Sequence, residues 1–306
     1  VSLNEKIIFY CSWGQSSSDL LGVYKSQTPE RSGIWKNIEA VDDPKLADYH
    51  IVMDGTSEGF GRLPIGIPNS EILFFQREEP EVIYPRLEFP DDLFFQGTYT
   101  DLRHHLISVW RVKPSYDDLL NLKYDKTHKT KLLSTITSGK VGLDGHKKRV
   151  HFLERFVDSY KNIDVYGQYG IETFGSISEC WKGSLNYDGY CKFKGLHPYH
   201  YTLAFENSKN KNCLSEKIFD SLLSWTMPIY WGCPNIDKFL PEQSYHVIDI
   251  DNVDIAIEQV LEIIETVPTT ENINAMAEAR DLILNRYNLW PEIKAVIDGR
   301  PMEGRK

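Results

Sequence analysis

Glu206 and Asn207 end the apolar run HYTLAF, and Ser215-Glu216-Lys217 opens an amphipathic segment shortly after it. A strand that ends in polar side chains, followed by a helix whose first turn carries a lysine, suits an anion. The unpaired N–H groups of that turn and an ammonium can share the charge of a diphosphate better than that of a single carboxylate. Ile218, Phe219, Leu222 and Leu223 fall on one face of the helix, which leaves Glu216 and Lys217 at its N-terminal turn. The same spacing also fits a solvent-exposed lysine beside a glutamate that favours the helix dipole. Asp249-Ile-Asp251 has the letters of a motif that holds a cation on a diphosphate. Its place at the start of a helix favours capping, so no metal site is assigned. His197 and His200 in HPYH are spaced like a ligand pair, but His200 begins a buried strand, and packing or hydrogen bonding is the better reading. His104 and His105 have no carboxylate or cysteine spacing around them and read as surface residues.

The elements that must position these residues alternate regularly. KIIFYCSW (6–13), ADYHIVMDG (47–55) and SEILFFQ (70–76) are short apolar runs bounded by turn residues, and read as buried strands. After a lysine-rich stretch at 121–131 the pattern restarts. Strands are expected at 131–138, 163–170, 200–205, 227–232 and 245–250, and helices at 146–160, 215–225 and 252–267, with 171–198 irregular. Such alternation implies parallel strands covered by helices on both faces. The expected fold class is α/β, with two Rossmann-like domains facing a cleft. Their boundaries are 1–125, 126–270 and, for a pair of C-terminal helices with Pro291 in the first turn of the second, 271–306. Ligands then sit beyond the carboxyl ends of the strands, where Glu206 and Asn207 lie.

The 306 residues suffice for two ordinary domains, and 34 basic against 44 acidic residues give a formal net charge of −10. That balance excludes nucleic acid as the main partner, since phosphate binding needs clustered Lys and Arg. No apolar run reaches the roughly 18 residues of a membrane span, and no signal-peptide pattern opens the chain. The five cysteines form no metal spacing and read as reduced core residues. With no Asn-x-Ser/Thr sequon present, the expected location is cytoplasmic, although the chain opens on Val1 and a removed anchor is compatible with that.

The segments YHYTLAFENS (199–208), SEK (215–217) and PIYWG (228–232) resemble the donor-binding signature of glycosyltransferase family 10, the α1,3/4-fucosyltransferases, with the interval between the blocks preserved. The likeness covers 130–250 well, the first 120 residues poorly and the tail hardly at all. It implies a GT-B type enzyme, inverting and independent of metal or other cofactors. The partners it implies are a nucleotide sugar, GDP-fucose, and a glycan acceptor held by the N-terminal domain. It places Arg149 of RVHFLERF at the arginine that contacts the diphosphate, with Arg155 as the alternative. Donor contacts fall on Arg149, Glu206, Asn207, Cys213, Glu216 and Lys217, and Glu216 or Glu206 would orient sugar hydroxyls or stabilise an oxocarbenium-like charge. In FFQREEP it implies Glu78 as general base, with Glu79 one register away. Cys213 departs from the pattern, standing where the family usually has a tyrosine that faces the donor. That leaves two rival readings: a GT-B enzyme for another nucleotide sugar, and a non-catalytic glycan-binding module on the same fold.

Overall fold

The computed structural model describes residues 4–77, 90–97, 109–185 and 192–299. Glu78, Glu79, His104, His105 and Cys191 lie outside the described residues. Two compact units divide the chain: Val1–Val109 with Ser115–Leu120 and Leu284–Gly304, and Asn121–Ile283 with Trp110–Pro114.

In the first unit the strands are β1 (Glu5–Cys11), β2 (Ile34–Trp35), β3 (Ile38–Ala40), β4 (Tyr49–Met53), β5 (Gly55–Thr56), β6 (Gly59–Phe60), β7 (Ile72–Phe75) and β8 (Phe95–Gly97). Helices α1 (Ser17–Lys25) and α2 (Tyr116–Asn121) accompany them. Among the described residues the main sheet runs β2-β3-β1-β4-β7-β8, parallel except for the β2–β3 pair. The side chains of Ile51, Val52, Met53 and of Ile72 through Phe75 are all buried. Continuous burial is what parallel strands covered on both faces require, and it explains why these runs do not alternate with polar residues. α1 begins at a reciprocal cap, Ser16 and Asp19, which satisfies donors that the first turn leaves open.

In the second unit the parallel strands are β9 (Lys131–Ser138), β10 (Asp164–Gln168), β11 (Tyr199–Phe205), β12 (Met227–Trp231) and β13 (His246–Val247), in the order β10-β9-β11-β12-β13. Its helices are α3 (Asp144–Ser159), α4 (Ile177–Cys180), α5 (Lys192–Leu196), α6 (Glu216–Leu223), α7 (Val253–Ile263) and α8 (Thr270–Asn285). Among its described residues the stretch expected to be irregular holds the short helices α4 and α5, too brief to show a helical period. β13 is shorter than the strand expected at 245–250. Ranked along the chain, the parallel strands of each unit take the same spatial order: second, first, third, fourth, fifth. This is a doubly wound order, whose switch point lies between the first and third strands. In the first unit that is β1 beside β4; in the second it is β9 beside β11.

Among the described residues the last helix is α9 (Leu289–Ile297), which belongs to the first unit. Trp290 donates its indole N–H to the Tyr24 carbonyl at 3.1 Å and meets Phe9 edge-on. Cys11, Cys180, Cys213 and Cys233 are buried free thiols. Among the described residues no helix is long and apolar enough to cross a membrane.

Candidate functional site

The carboxyl ends of β9 and β11 stand side by side at the switch point of the second unit, and the candidate residues gather there. Successive residues of a strand point to opposite faces. Phe205 packs edge-on against Phe152 of α3, and Asn207, two residues on, turns the same way and accepts a hydrogen bond from Arg149 at 2.7 Å. Glu206 points to the other face, toward α6. One strand end thus supplies both sides of the site.

Arg149 is buried, at 5% exposure, because α3 turns Val150, Leu153, Phe156 and Val157 into the core and carries the arginine in with them. Its second terminal nitrogen donates to Ser138 Oγ at 2.8 Å, so the guanidinium ties the ends of β9 and β11 together. Arg155 lies on the outer face of α3 and pairs with Asp254 at 2.9 Å. The approach of α3 to β11 depends on Gly145: a Cβ there would stand 2.1 Å from the Asn207 carbonyl oxygen. His146 follows it, buried, with Nδ1 accepting the Leu143 N–H at 3.3 Å. Burial and then the Arg149 charge push its pKa down to about 4, so the imidazole is neutral at physiological pH. Neither Gly145 nor His146 is singled out by the sequence reading; the glycines at 139, 142 and 145 between a strand and a helix are the signal that was available.

The cap of α6 is filled from within the protein, contrary to the expectation of a first turn open to a ligand, while the Glu216 and Lys217 side chains stay part-exposed. Glu206, 1% exposed, fills that place as an internal carboxylate. It accepts the Ser215 N–H at 2.9 Å, the Ser215 hydroxyl at 2.5 Å, the Lys217 ammonium at 3.2 Å and the Tyr230 hydroxyl at 3.4 Å. Ser215 caps the helix by accepting the Lys217 N–H at 3.2 Å. Buried donors of this kind need an acceptor, and a carboxylate at a helix N-terminus is the favourable one. Gly232 makes room for it, since a Cβ there would lie 2.4 Å from Glu206 Cγ. Tyr230 keeps its proton, because burial and the Glu206 charge raise its pKa far above the usual phenol range.

Glu216 is part-exposed beside Lys217 (3.8 Å) and Lys192 (3.3 Å). Burial alone would raise its pKa, but the charges of Lys217, Lys192 and Arg111 prevail and hold it well below the usual carboxylate range. Lys192 also reaches Asp220 at 3.1 Å, and Asp220 is 1% exposed. Cys213 is buried in the loop between β11 and α6, which is held by Asn212, in a left-handed conformation at φ +61°, and its paired amide Asn235 at 2.7 Å. The structure thus brings Arg149, Glu206, Asn207, Glu216 and Lys217 together, and adds Ser138, His146, Lys192, Ser215, Asp220 and Tyr230.

Asp249 and Asp251 both pair with Lys209, and Asp251 also with Lys148 at 2.7 Å. Among the described residues no group of three or more His, Cys, Asp or Glu is placed to hold a metal ion. His197 stacks on Phe193 and bonds the Ser224 carbonyl at 3.1 Å, a packing role.

Residues 126–270 match glycosyltransferase family 10 (fucosyltransferase), C-terminal domain. The α-(1,3)-fucosyltransferase FucT of Helicobacter pylori is 38% identical over 80 residues, which is 26% of this chain and 17% of that protein. The GDP-fucose protein O-fucosyltransferase 3 of Bos taurus is 26% identical over 173 residues, 55% of this chain and 36% of that protein. The matched regions therefore span well under two thirds of either relative's length. A solved glycosyltransferase of Rickettsia africae is similar in fold alone, with a TM-score of 0.53 at 8% identity over 98% of each chain. The two doubly wound units are of the GT-B type.

Proposed function

We propose, from the premise that residues 126–270 are a family 10 fucosyltransferase C-terminal domain, that this protein transfers L-fucose from GDP-fucose to a hydroxyl of a glycan or protein acceptor, with inversion and without a metal. The observation that carries the reading is Arg149. A buried guanidinium joined to the carboxyl ends of both switch-point strands, within the matched segment, stands where an open α/β sheet receives its ligand. Glu206 and Asn207 hold α6 and Arg149 in place, and Glu216 stands at the exposed rim, suited to a sugar hydroxyl.

In this reading the acceptor oxygen attacks the anomeric carbon as the bond from that carbon to the phosphate oxygen breaks, and the bonding pair leaves with GDP. The acceptor proton passes to a carboxylate, for which Glu78 is the candidate from the sequence. Arg149 and Lys217 stabilise the charge that grows on the leaving diphosphate. A single displacement on a β-linked donor yields an α-linked fucoside. Cys213, in place of the family's tyrosine, supports a second reading in which the fold and reaction are kept but the nucleotide sugar differs.

Thermal unfolding with GDP, UDP and their sugars, together with release of free sugar and nucleotide from each donor, separates these readings. A ligand at one hundred times its dissociation constant stabilises by about 2.7 kcal/mol. Stabilisation by GDP and slow hydrolysis of GDP-fucose are expected. A response to UDP and a UDP-sugar alone transfers the case to the second reading; binding of glycans with no nucleotide response identifies a non-catalytic module.

A further inference from the structure

Behind Glu216 lies an ion-paired chain that leads into the core. Asp220, one turn further along α6, is 1% exposed and has both oxygens engaged: Oδ1 accepts the Arg111 N–H at 2.7 Å and Oδ2 the Lys192 ammonium at 3.1 Å. Lys192, from α5, spans to Glu216 Oε1 at 3.3 Å. Side-chain exposure rises along the chain, from 1% at Asp220 through 21% at Lys192 to 31% at Glu216. Asp220 is buried with both oxygens committed to Lys192 and the Arg111 N–H, so its part is to hold these partners in place.

We propose that Lys192, anchored by Asp220, is a positioning residue that fixes the Glu216 carboxylate in the donor site and leaves the Lys217 charge available to the diphosphate. The inference rests on the donor-site reading of Glu216 and Lys217 given above. Its physical basis is local charge. Glu206, Glu216 and Asp220 are three carboxylates around α6, and Lys217 alone is already shared between Glu206 and Glu216. Without Lys192, Glu216 has Lys217 as its nearest cation, and an incoming diphosphate meets an ammonium that is committed elsewhere. The groups that face Glu216 are Lys192 from α5, Lys217 and Asp220 from α6, and Arg111 from the segment before α2; Glu206 of the β11 end faces Lys217. Burial raises the Asp220 pKa to about 6 against the pull of Lys192, so acidification uncouples the anchor first.

The test compares Lys192→Met, Lys192→Arg and the double variant Lys192→Met/Asp220→Asn with the parent protein. Removing Lys192 alone leaves Asp220 buried without its cation, and the variant is destabilised for that reason. The double variant removes that fault and recovers the parent's unfolding temperature. Two readouts then decide. Turnover of GDP-fucose, with its pH profile, is expected to fall roughly 10- to 100-fold in both Met variants, with the acid limb moved upward, and to be largely kept by Lys192→Arg. Carbon-13 NMR of the Glu216 carboxyl needs no substrate and is expected to show its pKa raised in both Met variants. A double variant that recovers stability, rate and the parent pKa of Glu216 overturns the proposal and leaves Lys192 a structural residue. If the parent protein turns over no GDP-fucose, the donor reading fails instead, and the Glu216 titration still decides whether Lys192 holds that carboxylate.

Discussion

Replacing Gly145 by alanine sets a methyl group 2.1 Å from the Asn207 carbonyl oxygen, 2.7 Å from its carbon and 3.1 Å from the Ser208 nitrogen. All three atoms are backbone at the end of a buried strand, so α3 is the part that must give, by about 1 Å. Arg149 lies one turn further on the same helix, and its bonds to Asn207 and Ser138, at 2.7 and 2.8 Å, have no such slack. Hydrogen bonds to a charged group contribute about 1.5–3 kcal/mol each. Displacing the guanidinium, and so losing one charge-assisted contact of that strength to a bound diphosphate, lowers nucleotide affinity roughly 10- to 100-fold. Overpacking costs about 1–3 kcal/mol of stability, which the better helix propensity of alanine offsets by up to about 1 kcal/mol. Gly142→Ala is the control: a Cβ there meets nothing within 4 Å, so both affinity and stability are expected to hold. Calorimetric titration of GDP into the two variants, with urea unfolding of each, checks this. Equal GDP affinity in Gly145→Ala and the parent protein would refute the claim that the contact between α3 and β11 sets the position of Arg149.

Gly232→Ala places a methyl 2.4 Å from Glu206 Cγ at a backbone φ of +156°, and is expected to lower stability by about 2–3 kcal/mol and to loosen α6, seen as lost hydrogen-exchange protection at Ser215 to Lys217. His146 has its pKa depressed from 6.5 to about 4, so its contribution to stability is complete above pH 6.5 and is lost as the pH falls toward 4. His146→Gln, which keeps an acceptor for the Leu143 N–H, should flatten that acid limb by at most about 3 kcal/mol in urea unfolding at pH 4 and pH 7. Sugar transfer should survive EDTA; a loss that manganese restores would move the diphosphate to a cation held by Asp249 and Asp251.

The sequence alone determined the alternation of strands and helices in residues 131–168 and 199–263, because parallel strands covered on both faces are largely apolar runs and the helices between them carry one apolar stripe. It also determined that Glu206 and Asn207 end a strand and that Lys217 opens a helix, since both follow from where local patterns start and stop. The order of strands is not a local property. Only the tertiary structure sets β9 beside β11 and so brings Ser138, Arg149 and Asn207 within hydrogen-bond reach across the switch point. It decided that Arg149 faces the site while Arg155 faces Asp254, a choice that rests on which side of α3 meets the sheet. It turned Glu206 inward to occupy the helix N-terminus that its sequence leaves open to a ligand, because a carboxylate buried at a strand end must find donors close by. Lys192 and Asp220 lie 28 residues apart, and α9 packs against α1 and β1 from the far end of the chain. Contacts of that kind have no signature in any short window of sequence, since they arise when separate elements are packed together to bury the apolar surface each leaves exposed.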